Sequence, residues 1–326
     1  MKKVGLIGVG RHGSRYARHI VGDMDRLTLT TICRRSSVGR EQARGWNARY
    51  CRDWRELIAD PDVEVVVAVT VPSLNLEIAR QCAVHAKPLL VEKPLAGTVR
   101  EAAEIVRLMA EANCKLTVAQ TLRYNPVIGS LRRQLPQLGT LHSLAVNQRL
   151  EPSTLTWHDD PEIAGAGVLF HTAVHVFDAL RLITGLRIQQ VMAAIRSIHS
   201  HRLEDLVTVL FVLENGVAGT LDVSKVGHAR TGRYEFVCQN GQLHGDQIHG
   251  FTQIVRHNAL SAPQPLTAEP TILPLLRDWV DFLETGKNNP VTGEDGLYAV
   301  QVCDACLRSA ATGIWAEVES ALVRRG

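Results

Sequence analysis

Three stretches of this sequence carry side chains whose types and spacing suit chemistry. Gly8-Val9-Gly10-Arg11-His12-Gly13 follows a strand-like run and opens a helical one, the context in which Gly-x-Gly-x-x-Gly cradles a dinucleotide. The first glycine permits a tight turn, the second lets a pyrophosphate approach the backbone, and the third lets the helix pack closely. The helix N-terminus adds free N–H groups and a positive dipole end. Gly8, Gly10, Arg11, His12 and Gly13 are therefore cofactor-binding candidates, against the plainer reading of a simple strand-turn-helix. Glu92-Lys93-Pro94 directly follows a second buried-type strand. Ligands of open parallel sheets sit at the carboxyl ends of the strands, so Lys93 should project toward the cofactor. A lysine beside a cationic ring has its charged form disfavoured, which suits proton exchange or a hydrogen bond to a substrate oxygen. The alternative is a solvated lysine paired with Glu92. In the third stretch His171, His175 and Asp178 fall at i, i+4 and i+7, on one face of a helix. They read as a catalytic histidine with polar neighbours, as a His-x-x-x-His metal pair, or as core histidines. No third ligand is evident and no Glu follows the first His, so no metal is expected.

The nucleotide's identity is read at the end of the second strand. An NAD-preferring site places Asp or Glu there, about 20 residues beyond the glycines, on the ribose 2′-hydroxyl. This chain has Cys33-Arg34-Arg35-Ser36. A carboxylate would repel a 2′-phosphate, whereas a guanidinium pairs with it. Arg34, Arg35 and Ser36 thus favour NADP, with NAD possible.

These residues need a scaffold, and the chain alternates to supply one. Apolar runs at 4–9, 27–33, 63–71, 89–92 and 116–119 are separated by helical patterns, with Asp53 and the Thr98/Glu101 box as caps. Continuous apolar strands between amphipathic helices mean a parallel sheet covered on both faces. After about residue 120 the strands 191–197, 206–213, 217–224 and 234–238 follow one another by short connections, as in an antiparallel sheet. The expected fold is α/β: a parallel N-terminal Rossmann domain over 1–120, then an α+β substrate and oligomerisation domain over 121–326. A formal charge of +3 without a basic block argues against nucleic acid. The apolar runs are strand-sized, which argues against a membrane. The N-terminus does not read as a signal peptide. Seven scattered cysteines suit a reducing, cytoplasmic setting. Cys303 and Cys306 form one Cys-x-x-Cys within a helical pattern and are expected to be structural.

Gly8 to Gly13, Glu92-Lys93-Pro94, Arg123-Tyr124-Asn125-Pro126 and the segment 165–178 together resemble the Gfo/Idh/MocA oxidoreductases, in order and spacing over nearly the whole chain. The resemblance implies a Rossmann domain followed by a large open antiparallel sheet that pairs protomers as a homodimer or homotetramer. It implies NAD(P)-dependent oxidation or reduction of a sugar, polyol or related carbonyl. Lys93 matches the family's active-site lysine and His175 the histidine of its Asp-x-x-x-His pattern. His171 stands where that aspartate usually is. Asn75 falls where many members carry a histidine, and Val71-Pro72 replaces a Thr-Pro; Val71, Pro72 and Asn75 are assigned to the cofactor, as is Glu92. Arg123, Tyr124 and Asn125 are substrate-side groups. In the implied reaction His175 takes the hydroxyl proton, Lys93 hydrogen-bonds the same oxygen, and His171 orients the substrate or His175. The rival readings are a non-catalytic NADP-binding regulator, a metal-assisted enzyme, and a reductase of imines or double bonds.

Overall fold

The computed structural model describes residues 1–319, which form two compact units. The first is Met1–Gln120 with Pro270–Leu297, and the second is Thr121–Glu269 with the chain from Tyr298 onward. The sequence reading put all of 121–326 into one second domain. Pro270–Leu297 departs from that because its helix is amphipathic and lies against the first unit: Arg26 reaches Asp281 and Glu284 at 2.7 and 3.1 Å, and Lys115 Nζ donates to the Leu283 carbonyl at 2.6 Å.

The first unit contains β1 (Lys2–Ile7), α1 (Gly13–Gly22), β2 (Leu27–Cys33), α2 (Val38–Gly45), β3 (Arg49–Cys51), α3 (Trp54–Ala59), β4 (Val65–Ala68), α4 (Asn75–Val84), β5 (Leu89–Glu92), α5 (Val99–Glu111) and β6 (Leu116–Ala119). Its six strands are all parallel, in the order β3-β2-β1-β4-β5-β6. β4 and β5 are buried at every position, as strands with helices on both faces must be. The strand order reverses between β1 and β4, and this switch point is where an open sheet leaves a crevice at its carboxyl ends. Asp53 accepts from Arg55 N and Thr98 from Glu101 N, so both expected caps are formed. The three-residue β3 was not foreseen, being too short to show a period.

The second unit contains α6 (Pro126–Gln134), β7 (Leu141–Arg149), α7 (Pro161–Ala164), α8 (Val174–Thr184), β8 (Ile188–Arg196), β9 (Leu206–Leu213), β10 (Ala218–Ser224), β11 (Thr231–Cys238), β12 (Gly241–Asp246), β13 (Phe251–Arg256), β14 (Ala259–Leu260), β15 (Gln264–Pro265) and β16 (Ala316–Glu317). α9 (Ile272–Thr285) belongs to the first unit, and α10 (Gly293–Thr312) starts in the first and ends in the second. The sheet has ten strands, along β14-β13-β12-β11-β7-β10-β9-β8-β16 with β15 on β13. It is large and open, and mixed where an antiparallel sheet was expected. β7 and β10 pair in parallel, because the helices and two strands between them provide the long crossover that parallel neighbours need. Alternation along β9 and β11 buries one face; α6 packs on β12 and β13, and the turn at Leu169–Ala173 on β10. Pro161–Thr184 is apolar and long enough to cross a membrane, but 78% of its apolar window is buried.

Candidate active site

In the first unit the glycine turn joins β1 to α1. Gly8 has φ +88°, and a Cβ there would meet the Val69 carbonyl oxygen; a Cβ on Gly13 would meet the Gly8 carbonyl oxygen. Both therefore shape the turn. Gly10 has open space before it and is exposed, the room a pyrophosphate needs. No side chain caps α1; its Ser14 and Arg15 N–H groups donate to the Gly10 and His12 carbonyls, both at 2.9 Å, and the positive end of the helix dipole is what favours an anion there. Arg11 and His12 are exposed beside them. These features fit a dinucleotide.

Glu92 is buried at the end of β5 and accepts three hydrogen-bonding contacts: His12 Nε2 at 2.8 Å, Tyr16 Oη at 2.5 Å and the Lys93 N–H at 3.1 Å. Burial alone would raise its pKa. The hydrogen bond and charge of His12, the charge of Lys93 and the Tyr16 bond outweigh that and hold it below the ordinary carboxylate value. Tyr16 is pushed well up, first by burial and then by Glu92. Glu92 thus ties the glycine turn to the Lys93 loop. Asn75 is likewise buried. Its Oδ1 accepts from Thr70 Oγ1 at 3.0 Å, and its Nδ2 donates to the Pro94 and Leu95 carbonyls, both at 3.2 Å. It braces the loop that carries Lys93, itself half-buried, from the Val71-Pro72 side of the crevice. Pro72 is buried and Val71 half-buried.

The pair of arginines after β2 divides in function. Arg34 Nη1 donates to the Val9 carbonyl at 3.0 Å and to Gln42 Oε1 at 2.7 Å. Its guanidinium is engaged in holding the glycine turn. Arg35 and Ser36 are exposed beyond it.

In the second unit the regular helix expected through His171 is interrupted by a π turn, Leu169–Ala173, ahead of α8. The i→i+5 geometry breaks the α-helical phase, and the three residues expected on one face diverge. The His171 ring stacks on His158, centroids 3.8 Å apart and 19° between planes, with Trp157 edge-on at 5.3 Å. Asp178, buried, turns to Arg123, whose side chain is 13% exposed, in a bidentate pair, Nε–Oδ2 2.7 Å and Nη2–Oδ1 2.6 Å. Arg123 therefore holds the turn Thr121–Tyr124 against α8, where a substrate contact was expected. Asn125 also serves the scaffold. It caps α6 by accepting from Val127 N at 2.9 Å and donates to the Gln247 carbonyl at 3.2 Å. Tyr124 and His175 are half-buried.

A cavity of about 190 Å³ opens beside His171, lined by Ser153, Thr154, His158, Glu204 and Lys225 among others. Its floor depends on close backbone approach: Val168 N donates to the Glu204 carbonyl at 2.8 Å, and a Cβ on Gly167 would strike that same oxygen. Glu204 Oε1 accepts from Leu169 N at 3.0 Å, at the start of the π turn. Its pKa is raised, burial outweighing the backbone hydrogen bonds. The wall loop is pinned by two carboxylates: Asp159 accepts from His201, Arg202 and Leu203 N–H groups, and Asp205 from those of Ile198, His199 and Ser200. Sequence reasoning missed His158, Glu204 and Lys225. They lie in irregular segments or at strand ends, where only the hydrophilic side chains themselves gave a signal. Among the described residues no group of three His, Cys, Asp or Glu side chains is placed to hold a metal.

Residues 2–120 match the oxidoreductase family with the NAD-binding Rossmann fold, and residues 137–244 the GFO/IDH/MocA C-terminal domain. Inositol 2-dehydrogenase 2 of Saccharopolyspora erythraea is 26% identical over 98% of this chain and 96% of its own length. The 1,5-anhydro-D-fructose reductase of Ensifer adhaerens is 26% identical over 99% of this chain and all of its own, 100%. A levoglucosan dehydrogenase solved in complex with NADH shares the fold, with a TM-score of 0.88 at 22% identity over 98% of this chain and 99% of that one. The two family matches fall, in order, on the unit with the glycine turn and the unit with the paired histidines, and the chain belongs to the Gfo/Idh/MocA family of NAD(P)-dependent oxidoreductases.

Proposed function

We propose that the protein interconverts a secondary alcohol and its ketone on a cyclic sugar or polyol, the bound nicotinamide taking or giving the hydride, with NADP preferred over NAD. The NADP preference is carried by one observation: Arg35 and Ser36 stand exposed at the end of β2, and no carboxylate lies in Cys33-Arg34-Arg35-Ser36. A free guanidinium and a hydroxyl suit a 2′-phosphate. The substrate class is supported by relatives named for inositol and anhydro-sugars and by the polar cavity beside His171.

On this reading His175 accepts the hydroxyl proton, and Lys93 hydrogen-bonds the reacting oxygen. His171, stacked on His158, orients the substrate by its ring edge in place of a carboxylate. Ser153, Thr154 and Glu204 supply hydroxyl partners in the cavity. The exposed face of the large sheet, with Leu210 and Val237 uncovered at 42% and 38%, pairs protomers into a dimer or tetramer.

The test is a parallel titration with NADPH and NADH followed by nicotinamide fluorescence, then a polyol and sugar screen with the tighter nucleotide. Tighter NADPH binding is the expected result, and equal or NADH-favoured binding overturns the preference. Binding of neither overturns the dehydrogenase reading. Lys93→Ala is expected to abolish turnover of a validated substrate; near wild-type rates would remove Lys93 from the mechanism.

A further inference from the structure

Two of the seven free cysteines sit side by side where the nucleotide's ribose end is read. Cys33, the last residue of β2, is the direct register partner of Cys51, the last residue of β3. Neighbouring strands run about 4.8 Å apart, within the Cα separations of roughly 4.4–6.8 Å that disulfides bridge. Register partners in a parallel pair present their side chains to the same face. The thiols donate to neighbouring backbone, Cys33 Sγ to the Arg52 carbonyl at 3.5 Å and Cys51 Sγ to the Ile32 carbonyl at 3.7 Å, and each is the other's leading electrostatic neighbour.

The pair is asymmetric in the way a dithiol exchange needs. Cys51 is half-buried on an edge strand, while Cys33 is buried. The neighbouring Cys33 thiol lowers the Cys51 pKa, while the Cys51 sulfur, then burial, pushes the Cys33 thiol up. Cys82, Cys114, Cys238, Cys303 and Cys306 are all shifted upward, chiefly by burial. Cys51 is the one thiol of the seven whose pKa is lowered, and so the readier to attack.

The backbone around the pair is also the backbone of the nucleotide-reading loop. Arg34 N donates to the Cys51 carbonyl at 3.3 Å, Cys33 Sγ to the Arg52 carbonyl at 3.5 Å, and Arg52 Nε to the Arg35 carbonyl at 3.1 Å. The Tyr50 hydroxyl faces the Arg34 and Ser36 carbonyls, each at 3.1 Å.

We propose that Cys33 and Cys51 are a redox-active dithiol, closed to an intrachain disulfide by a low-molecular-weight disulfide such as oxidised glutathione, and that closure weakens nucleotide binding. The Cys51 thiolate attacks one sulfur of the glutathione disulfide, releasing one glutathione and leaving a mixed disulfide on Cys51. With the Cys51 charge consumed, it no longer opposes loss of the Cys33 proton, which had rested on the Arg52 carbonyl. Cys33 loses that proton, attacks the Cys51 sulfur and expels the second glutathione. Two protein thiols are oxidised by two electrons, one glutathione disulfide is reduced to two thiols, and the two protons leave with them. Pulling Cys51 onto Cys33 breaks the Cys33–Arg52 contact and shifts the edge strand that supports Arg35 and Ser36. The nucleotide effect rests on the function proposed above; the dithiol chemistry does not.

Reduced, full-length protein incubated with oxidised glutathione, alkylated, digested and examined by mass spectrometry should yield a peptide linked through Cys33 and Cys51, two hydrogens lighter than its parts and released by dithiothreitol. Cys33→Ser should stop at a glutathione adduct on Cys51, and Cys51→Ser should neither link nor take glutathione at Cys33. If both cysteines remain alkylatable, or if Cys51 in the unmodified sequence keeps a glutathione that Cys33 never displaces, the dithiol is overturned. The oxidised protein should bind NADPH about tenfold more weakly, the loss of roughly one charge-assisted contact, with recovery on reduction and no change in oxidant-treated Cys51→Ser. A linked peptide with unchanged affinity overturns the nucleotide effect alone. Reduced protein that binds neither nucleotide overturns that effect together with the proposed function, while linkage is still decided by mass.

Discussion

His12 and Glu92 are 80 residues apart in sequence and 2.8 Å apart in space, joining the glycine turn to the strand end that carries Lys93. The carboxylate is buried and is kept ionised by its partners, His12 first among them. The family lysine is thereby coupled to the phosphate-binding turn through one buried charge.

Glu92→Gln keeps the shape and removes that charge. The loss of charge-assisted bonds from His12 and Tyr16 should cost about 1–3 kcal/mol of stability near neutral pH and lower nucleotide affinity. The pH dependence has a definite sign. Because the folded-state pKa of Glu92 is depressed, its contribution is present above the unfolded value of about 4.3 and is lost as pH falls through the folded one. The difference in thermal midpoint between wild type and Glu92→Gln should therefore shrink as pH is lowered below about 4.3. A difference that stays constant down to acid pH would show that the charge is not what stabilises the turn.

The two arginines after β2 should separate in mutagenesis. Arg35→Ala should weaken NADPH by about tenfold or more and leave NADH nearly unchanged, as expected for loss of one charged hydrogen bond to a 2′-phosphate. Arg34→Ala should weaken both nucleotides alike, because its guanidinium holds the Val9 carbonyl and Gln42. Titrations of both variants decide it; an equal effect of Arg35→Ala on the two nucleotides would remove it from phosphate recognition.

Asp178→Asn leaves the Arg123 guanidinium buried against a neutral amide. Breaking a buried pair from one side costs about 3–5 kcal/mol, so the urea midpoint should drop sharply. Replacing both partners by apolar residues of similar volume should be far milder, since no uncompensated charge remains. If the single and double variants are equally destabilised, the pair acts through packing and not through charge.

The nucleotide-binding half of the protein was legible in the linear sequence because its determinants are local. Gly8, Gly10 and Gly13 lie in one turn, the strands are continuous apolar runs, and the missing carboxylate after β2 is read at a single position. Asp53 and Thr98 announced their helices in the same way, since a cap bonds within three residues of itself. The second unit shows what spacing cannot carry. His171, His175 and Asp178 have the α-helical interval, but the π turn at Leu169–Ala173 takes them out of phase, and nothing in the interval marks the extra residue. Arg123, Asn75 and Asn125 had the right chemistry for ligands, and tertiary partners claim them: Asp178, the Pro94 and Leu95 carbonyls, and the first turn of α6. A polar side chain cannot remain unsatisfied when buried. Whether it serves a ligand or the scaffold is decided by what the fold brings within about 3 Å of it. The cavity lined by His158, Glu204 and Lys225, and the register that sets Cys33 beside Cys51, depend in the same way on residues distant in the chain. The local sequence determined that this is a dinucleotide-dependent oxidoreductase; only the tertiary packing determined which of its polar residues are left to do the chemistry.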